Sequence, residues 1–238
     1  MDATFAMSRL GLLSDLRRID IYSQNLANLD TVGYRRQVPV TVPFDTRLTA
    51  LSEASSTNPA TSSLSDNSLG PLRHTGNPLD LALAGSGYFV VETPGGVQYT
   101  RRGDFTIDAQ GRLVSGHGFP VMGDGAEIRL PNSNFTVESD GSLVSDGTKI
   151  AKLDIARFDD PSILTYIGGG MFEAPGATPS RDPGVTPVKQ GFLEDSNVSP
   201  AQEMVGLMET TRHLQMERNM LMAYDGLLNS AINTLAVF

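Results

Sequence analysis

Three histidines, His74, His117 and His213, are the side chains best suited to metal binding or proton transfer, and they lie far apart in the chain. None shows the i, i+4 or short-turn spacing of a metal site, so each reads as a surface or capping histidine. Cysteine is absent, which removes disulfides, thiolate ligands and thiol nucleophiles. Gly85-Ser86-Gly87 lacks the third glycine of a dinucleotide loop and leads into a strand pattern, so no helix dipole points at a phosphate there. Asp154, Asp159 and Asp160 lack the ligand spacing of a calcium loop and read as solvated turn residues. Serine is plentiful, but no nucleophile-elbow sequence accompanies it. These residues predict no enzyme, no catalytic or metal-binding residue, no cofactor and no small-molecule substrate.

What the chain does offer is helical seams at both ends. Leucine recurs every seventh residue at Leu207, Leu214, Leu221, Leu228 and Leu235, a spacing that returns a side chain to one helix face every two turns. Met204, Met208, Met222, Tyr224, Leu227, Ile232 and Phe238 widen that seam beyond what one helix hides alone. A helix over Pro200 to Phe238 would be about 58 Å long, which reads as an assembly element. Asn197, Ser199 and Pro200 supply the start signal, and Glu203 and Glu209 complement the dipole near it. Polar Thr211, Arg218 and Asp225 interrupt the heptad and argue against a plain two-stranded coiled coil. At the other end, Phe5, Leu12, Ile19 and Leu26 repeat by seven, joined by Leu16 and Tyr22. Gly11 weakens that helix by up to ~1 kcal/mol relative to Ala. Asn28 to Gly33 are turn-tolerant residues that mark its end, with a positive φ expected at Gly33.

Composition narrows the remaining classes. The chain of 238 residues carries a formal charge of −9, from 18 basic and 27 acidic residues, with no face collecting Lys or Arg. Nucleic acid is not an expected partner. No run approaches the ~20 apolar residues of a membrane span, so direct membrane insertion is not expected, and no conventional signal peptide is seen at the N-terminus.

In chain order, the expected organisation is mixed α and β. Residues 1–36 form the N-terminal assembly helix and turn, and 37–75 an extended Ser/Thr-rich linker. Short apolar runs such as Leu79–Leu83, Tyr88–Val91 and Phe105–Ile107, separated by glycine-bearing turns, make 76–174 a central all-β domain of many short strands. Asp124-Gly125, Asp140-Gly141 and Asp146-Gly147 are hairpin-turn dipeptides. A Pro/Gly-rich linker at 175–199 precedes the C-terminal assembly helix at 200–238. The terminal helices are expected to form a coiled-coil-like assembly layer.

Three segments resemble those of flagellar basal-body rod proteins, in the hook and rod axial family. Ser23-Gln-Asn-Leu-Ala-Asn-Leu-Asp-Thr-Val-Gly-Tyr-Arg-Arg36 is similar to the N-terminal signature of that family. Thr75 to Phe89, then Tyr99-Thr-Arg-Arg-Gly-Asp-Phe105 and Gly111-Arg-Leu-Val114, resemble its central β motif. Gln190-Gly-Phe-Leu-Glu-Asp-Ser-Asn-Val198, with Glu203, Met204 and Arg212, resembles its C-terminal signature.

The resemblance implies a structural subunit of the periplasm-spanning rod, exported by the flagellar type III apparatus without a cleaved signal peptide. Its implied partners are other rod and hook axial subunits and that export apparatus. The implied interface comprises Phe5, Leu12, Leu16, Ile19, Leu26, Asn28, Thr31, Gly33, Tyr34, Leu207, Leu214, Leu221, Leu228 and Leu235. Residues 37–199 hold 19 acidic and 11 basic residues, a net of −8, which fits a β-domain facing outward. The short β-domain and Val121 to Pro131 look closer to the proximal than to the distal rod type. The alternatives are a distal rod or hook-type axial subunit, or a secreted β-rich adhesin or binding module.

Overall fold

The computed structural model describes residues 2–40, 63–130, 135–177, 179 and 186–235. Side chains are described from residue 10 onward, except those of residues 162, 228 and 231–235. The chain divides into two compact units. The first holds Met1–Ala27, Gln37–Leu64 and Ser199–Phe238, and the second holds Asn28–Arg36 and Ser65–Val198.

The first unit is a helix pair. Helix α1 spans Asp2–Ala27 and helix α2 spans Pro200–Leu235. Pro200 occupies the first helical position, where its missing N–H costs nothing, and the Glu203 amide donates to the Ser199 carbonyl at 3.1 Å. Four contacts fix the register. Asn25 meets Glu203, Tyr22 approaches Gly206, Asp15 meets His213, and Glu217 lies against Gly11. Residue numbers fall along α1 by the same steps by which they rise along α2, so the helices run antiparallel. The steps are combinations of three and four residues, the spacing that keeps one face of each helix on the other.

That contact is rich in small and polar residues, with the Tyr22 ring buried among them. A Cβ on Gly206 would lie 2.6 Å from the Tyr22 ring, and one on Gly11 would lie 2.6 Å from the Glu217 carboxylate. Both glycines therefore purchase close approach at the cost of helix propensity. Asn25, fully buried, donates to the Gln37 carbonyl and to Glu203 Oε2, both at 2.8 Å, and accepts from the Gln37 amide at 2.9 Å.

The second unit is built on a five-stranded antiparallel sheet. Its order is Ile155–Ala156, Tyr88–Thr93, Gly96–Thr100, Met171–Glu173 and Thr165–Gly168. Strand alternation sends Phe89 and Val91 into one core with Leu81, Leu83, Phe105, Leu113 and Val121. Tyr88 and Val90 enter the other core with Tyr99, Phe158, Leu164 and Phe172. A sheet covered on both faces explains why Tyr88 to Val91 is apolar without interruption.

Two of the expected hairpin dipeptides have positive φ at both residues, Asp124 (50°) with Gly125 (78°) and Asp146 (52°) with Gly147 (76°). These are the primed turns whose twist matches their strands. At Asp140-Gly141 only Gly141 is left-handed, at 85°, with its amide donating to the Glu138 carbonyl at 2.9 Å.

The stretch 175–199, read from sequence as a linker, carries two strands. Val188–Gln190 pairs with Leu81–Leu83, and Phe192–Glu194 pairs with Leu72–His74, both antiparallel. Leu72–His74 likewise falls in the stretch read as the first linker. Backbone pairing with distant strands organises these short runs, a term that local composition does not report. Residues 41–62, which hold the Ser/Thr-rich part of that first linker, lie outside the described residues.

Candidate functional site

The three segments singled out by sequence meet at one carboxylate in the second unit. Glu194 lies on the strand Phe192–Glu194 and is almost fully buried, as are Arg35 and Arg101. The Arg35 guanidinium sits 2.8 Å from Glu194 Oε1, and Arg101 Nη1 sits 3.1 Å from Oε2. Gly70 donates its amide to the same carboxylate at 2.9 Å. Arg35 also donates to the Ser68 carbonyl, and Arg101 donates to the Gly85 carbonyl at 2.7 Å while its guanidinium stands 5.2 Å over the Tyr88 ring. Burial pulls the Arg101 pKa down to about 10, against the opposing pull of Glu194. Burial likewise raises the Tyr88 hydroxyl above its ordinary value.

The turn that delivers Arg35 is tightly specified. Thr31 Oγ1 donates to Asn28 Oδ1 at 3.1 Å, and the Thr31 and Tyr34 amides close successive turns on the Asn28 and Thr31 carbonyls. Gly33 has φ +66°, as expected from the sequence, and its amide donates to the Glu194 carbonyl at 2.7 Å. A Cβ there would lie 2.6 Å from the Arg101 carbonyl carbon. Tyr34 is buried edge-on against Tyr166, 5.8 Å between ring centroids. Asn197 Oδ1 accepts the Arg36 amide at 2.7 Å, and its Nδ2 donates to the Asp66 and Ser68 carbonyls.

The other candidate residues fall into different environments. Leu12, Ile19, Leu26, Leu207, Leu214 and Leu221 are half-buried, while Leu16 is exposed. The leucine repeat of α2 flanks the polar contact with α1 and does not fill it. Asn28 and Thr31 are half-buried, and Gly33 and Tyr34 are buried. The side chains of Phe5, Leu228 and Leu235 lie outside those described. Among the described side chains of α2, the most open large apolar ones are Met216 at 62%, Met220 at 70% and Leu227 at 70% exposure. Met204 and Met208 are also exposed, and each pair, Met204 with Met208 and Met216 with Met220, is four residues apart and presents neighbouring methionines to solvent.

Sequence reading did not single out Asp15, Asn25, Arg35, Arg101, Glu194, His213 or Glu217 as site residues. Arg35, Arg101 and Glu194 sat inside the quoted segments, but nothing in a linear pattern pairs positions so far apart. The spacing of the three histidines from one another carries no trace of the carboxylates that His213 meets. His213 Nδ1 in fact donates to Asp15 Oδ2 at 2.5 Å and lies 4.0 Å from Glu217 Oε1, four residues along α2. Its hydrogen bond to Asp15 and the charge of that carboxylate raise its pKa above the ordinary value. His74 and His117 are exposed, His74 against the Phe192 ring and His117 against the Gly169 carbonyl. Beside Arg101 lies a recess of about 110 Å³ lined also by Asn67, Ser86, Tyr88 and Phe158. No nucleophile and base converge in it. None of the described helices is long and apolar enough to cross a membrane.

Comparison with known proteins agrees with this geometry. Residues 5–35 match the family described as flagella basal body rod protein, and residues 189–234 match the C-terminal family of flagellar basal body rod FlgEFG proteins. Residues 82–150 match the flagellar hook protein FlgE/F/G D1 domain. The chain is 34% identical to the flagellar basal-body rod protein FlgF of Rhizobium meliloti (strain 1021), over 92% of each chain. It is 31% identical to FlgF of Mesorhizobium japonicum, again over 92% of each. With the flagellar basal-body rod protein FlgG of Bacillus subtilis (strain 168) it shares 28% identity, over 94% of this chain and 95% of the relative. With its three signature segments in family order and two relatives above 30% identity along nearly their whole length, the chain belongs to the flagellar basal-body rod protein family.

Proposed function

We propose that this chain is a non-enzymatic structural subunit of the flagellar rod that polymerises through its terminal helices, with other rod and hook axial subunits as neighbours. The observation that carries the reading is the exposure of two methionine pairs, Met204 with Met208 and Met216 with Met220, on a helix of 36 residues. Apolar surface of this kind gains by burial against another chain, about 25 cal/mol per Å². Methionine suits such a surface because its unbranched thioether adapts to quasi-equivalent neighbours. Half-buried Leu207, Leu214 and Leu221, with Leu12, Leu16, Ile19 and Leu26 on α1, flank the intrachain contact and would complete the interface.

Export through the flagellar type III apparatus and a place in the periplasm-spanning rod belong to the same proposal, supported by the family. A rod of the FlgF type is favoured over the FlgG type. The alignments to FlgG of Bacillus subtilis run over 254 positions, more than the 238 residues of the chain, whereas those to the two FlgF relatives cover 228 and 224. A proximal position over a distal one belongs to the same proposal.

The test replaces Met216 and Met220 with Asp in the full-length chain. Both are exposed, so the purified monomer should melt as the wild type does, yet the subunit should be missing from isolated basal bodies and motility lost. Normal incorporation of the double variant would refute the helix face as an assembly surface.

A further inference from the structure

We propose that Asp15, His213 and Glu217 form a divalent transition-metal site, of the zinc class, that staples α1 to α2 within one subunit. Each residue offers one ligand atom, and these atoms lie within 4.8 Å of one another. Two carboxylate oxygens and one imidazole nitrogen form a donor set that zinc accepts, with water completing four-coordination. Bonds of about 2.0–2.2 Å set tetrahedral ligand atoms about 3.3–3.5 Å apart. The present separations of 2.5 Å from His213 Nδ1 to Asp15 Oδ2 and 4.0 Å to Glu217 Oε1 bracket that range.

Three further features favour an ion. His213 and Glu217 are separated by four residues of α2, which puts both on one face, and Asp15 comes from the helix opposite. Gly11 leaves room for the Glu217 carboxylate against α1, since a Cβ there would stand 2.6 Å from Oε1. Asp15 and Glu217 are largely buried, while His213 is 55% exposed and leaves solvent a route to the site; Arg18, 3.8 Å from Asp15, offsets part of the charge of one carboxylate. Two carboxylates withdrawn from water beside one imidazole are stabilised most by a cation that bonds to both. The inference rests on helix pairing within one chain and stands apart from the rod reading.

The test is a titration of the full-length protein, first stripped with a chelator. Cobalt(II) should give the visible bands of a tetrahedral N/O site at one ion per chain, and zinc should displace it. Zinc at about a hundredfold excess over Kd should raise the melting temperature of the helical signal by about 5–10 °C. Glu217→Gln, isosteric and so retaining the helix pair, should raise Kd by about a hundredfold, the loss that removing even an outer-shell partner can reach. His213→Ala should abolish the cobalt spectrum, and a variant lacking His74 and His117 should retain it. Absence of any cobalt spectrum would overturn the proposal, leaving Asp15 and His213 a plain ion pair. So would a titration unchanged in Glu217→Gln and His213→Ala, or one lost with His74 and His117.

Discussion

The two units bury different mixtures of surface. In the β unit, apolar side chains point inward from both faces of one sheet, with Phe89 edge-on to Phe105 at 5.0 Å on one side and Tyr88 to Phe172 at 5.5 Å on the other. Its buried charges are matched, Glu194 by Arg35 and Arg101. In the helix pair, the inward face is Gly11, Asp15, Tyr22 and Asn25 against Glu217, His213, Gly206 and Glu203, while methionine faces out. Full burial of a large apolar side chain contributes about 1.5–3 kcal/mol, whereas an intramolecular hydrogen bond nets about 0.5–1.5 kcal/mol. The β unit thus has the means to hold itself together. The helix pair is held by close fit and polar partners, and leaves Met204, Met208, Met216 and Met220 exposed.

The sharpest way to break this contrast is at Glu194. Replacing it with Ala leaves two guanidinium groups buried without their carboxylate, and removing one partner of a buried pair costs about 3–5 kcal/mol. Urea unfolding followed by near-UV signals of the β unit should show that loss. A change below about 1 kcal/mol would mean that the junction relaxes or hydrates, and that the β core alone sets stability.

Gly33→Val should rank next. It places a β-branched side chain at φ +66° and its Cβ 2.6 Å from the Arg101 carbonyl carbon. Strain at such a backbone position costs about 1–3 kcal/mol before the clash is counted. The variant should unfold at lower urea and reduce swimming, and wild-type stability would show that the turn rearranges freely.

Gly206→Ala sharpens the comparison from the helical side. In an isolated helix the change would stabilise by up to about 1 kcal/mol, but here the new methyl meets the Tyr22 ring. The expected sign is reversed, a net loss of about 1–2 kcal/mol in the helical transition. Combining it with Tyr22→Ala should recover part of that loss as a coupling energy. Stabilisation by Gly206→Ala alone would show that the helices do not approach as closely as the contact requires.

The smallest effect expected on the monomer is at the exposed methionines. Met208→Ser changes an exposed side chain and should alter stability by no more than about 0.5 kcal/mol. A large loss by thermal unfolding would place that face inside the subunit, and would remove the contrast between the units.

By itself the sequence determined the two terminal helices and the local turns. Seven-residue periodicity and the absence of proline gave the two helices to within a few residues of Asp2–Ala27 and Pro200–Leu235, because those signals are local. The same holds for the positive φ at Gly33 and for the Asp124-Gly125 and Asp146-Gly147 turns, where backbone sterics leave few alternatives. Which residues face one another was decided by tertiary structure. The leucine repeat marks the longest apolar stripe of α2, yet the helices meet along Gly206, His213 and Glu217, since glycine permits a closer backbone approach than leucine does. The strands at Val188–Gln190 and Phe192–Glu194 were hidden in a Pro/Gly-rich stretch because their pairing energy comes from residues more than a hundred positions away. Glu194 read as one acidic residue among many until Arg35 and Arg101 closed around it, for a buried charge is defined by its partners, and partners distant in sequence leave no periodic trace.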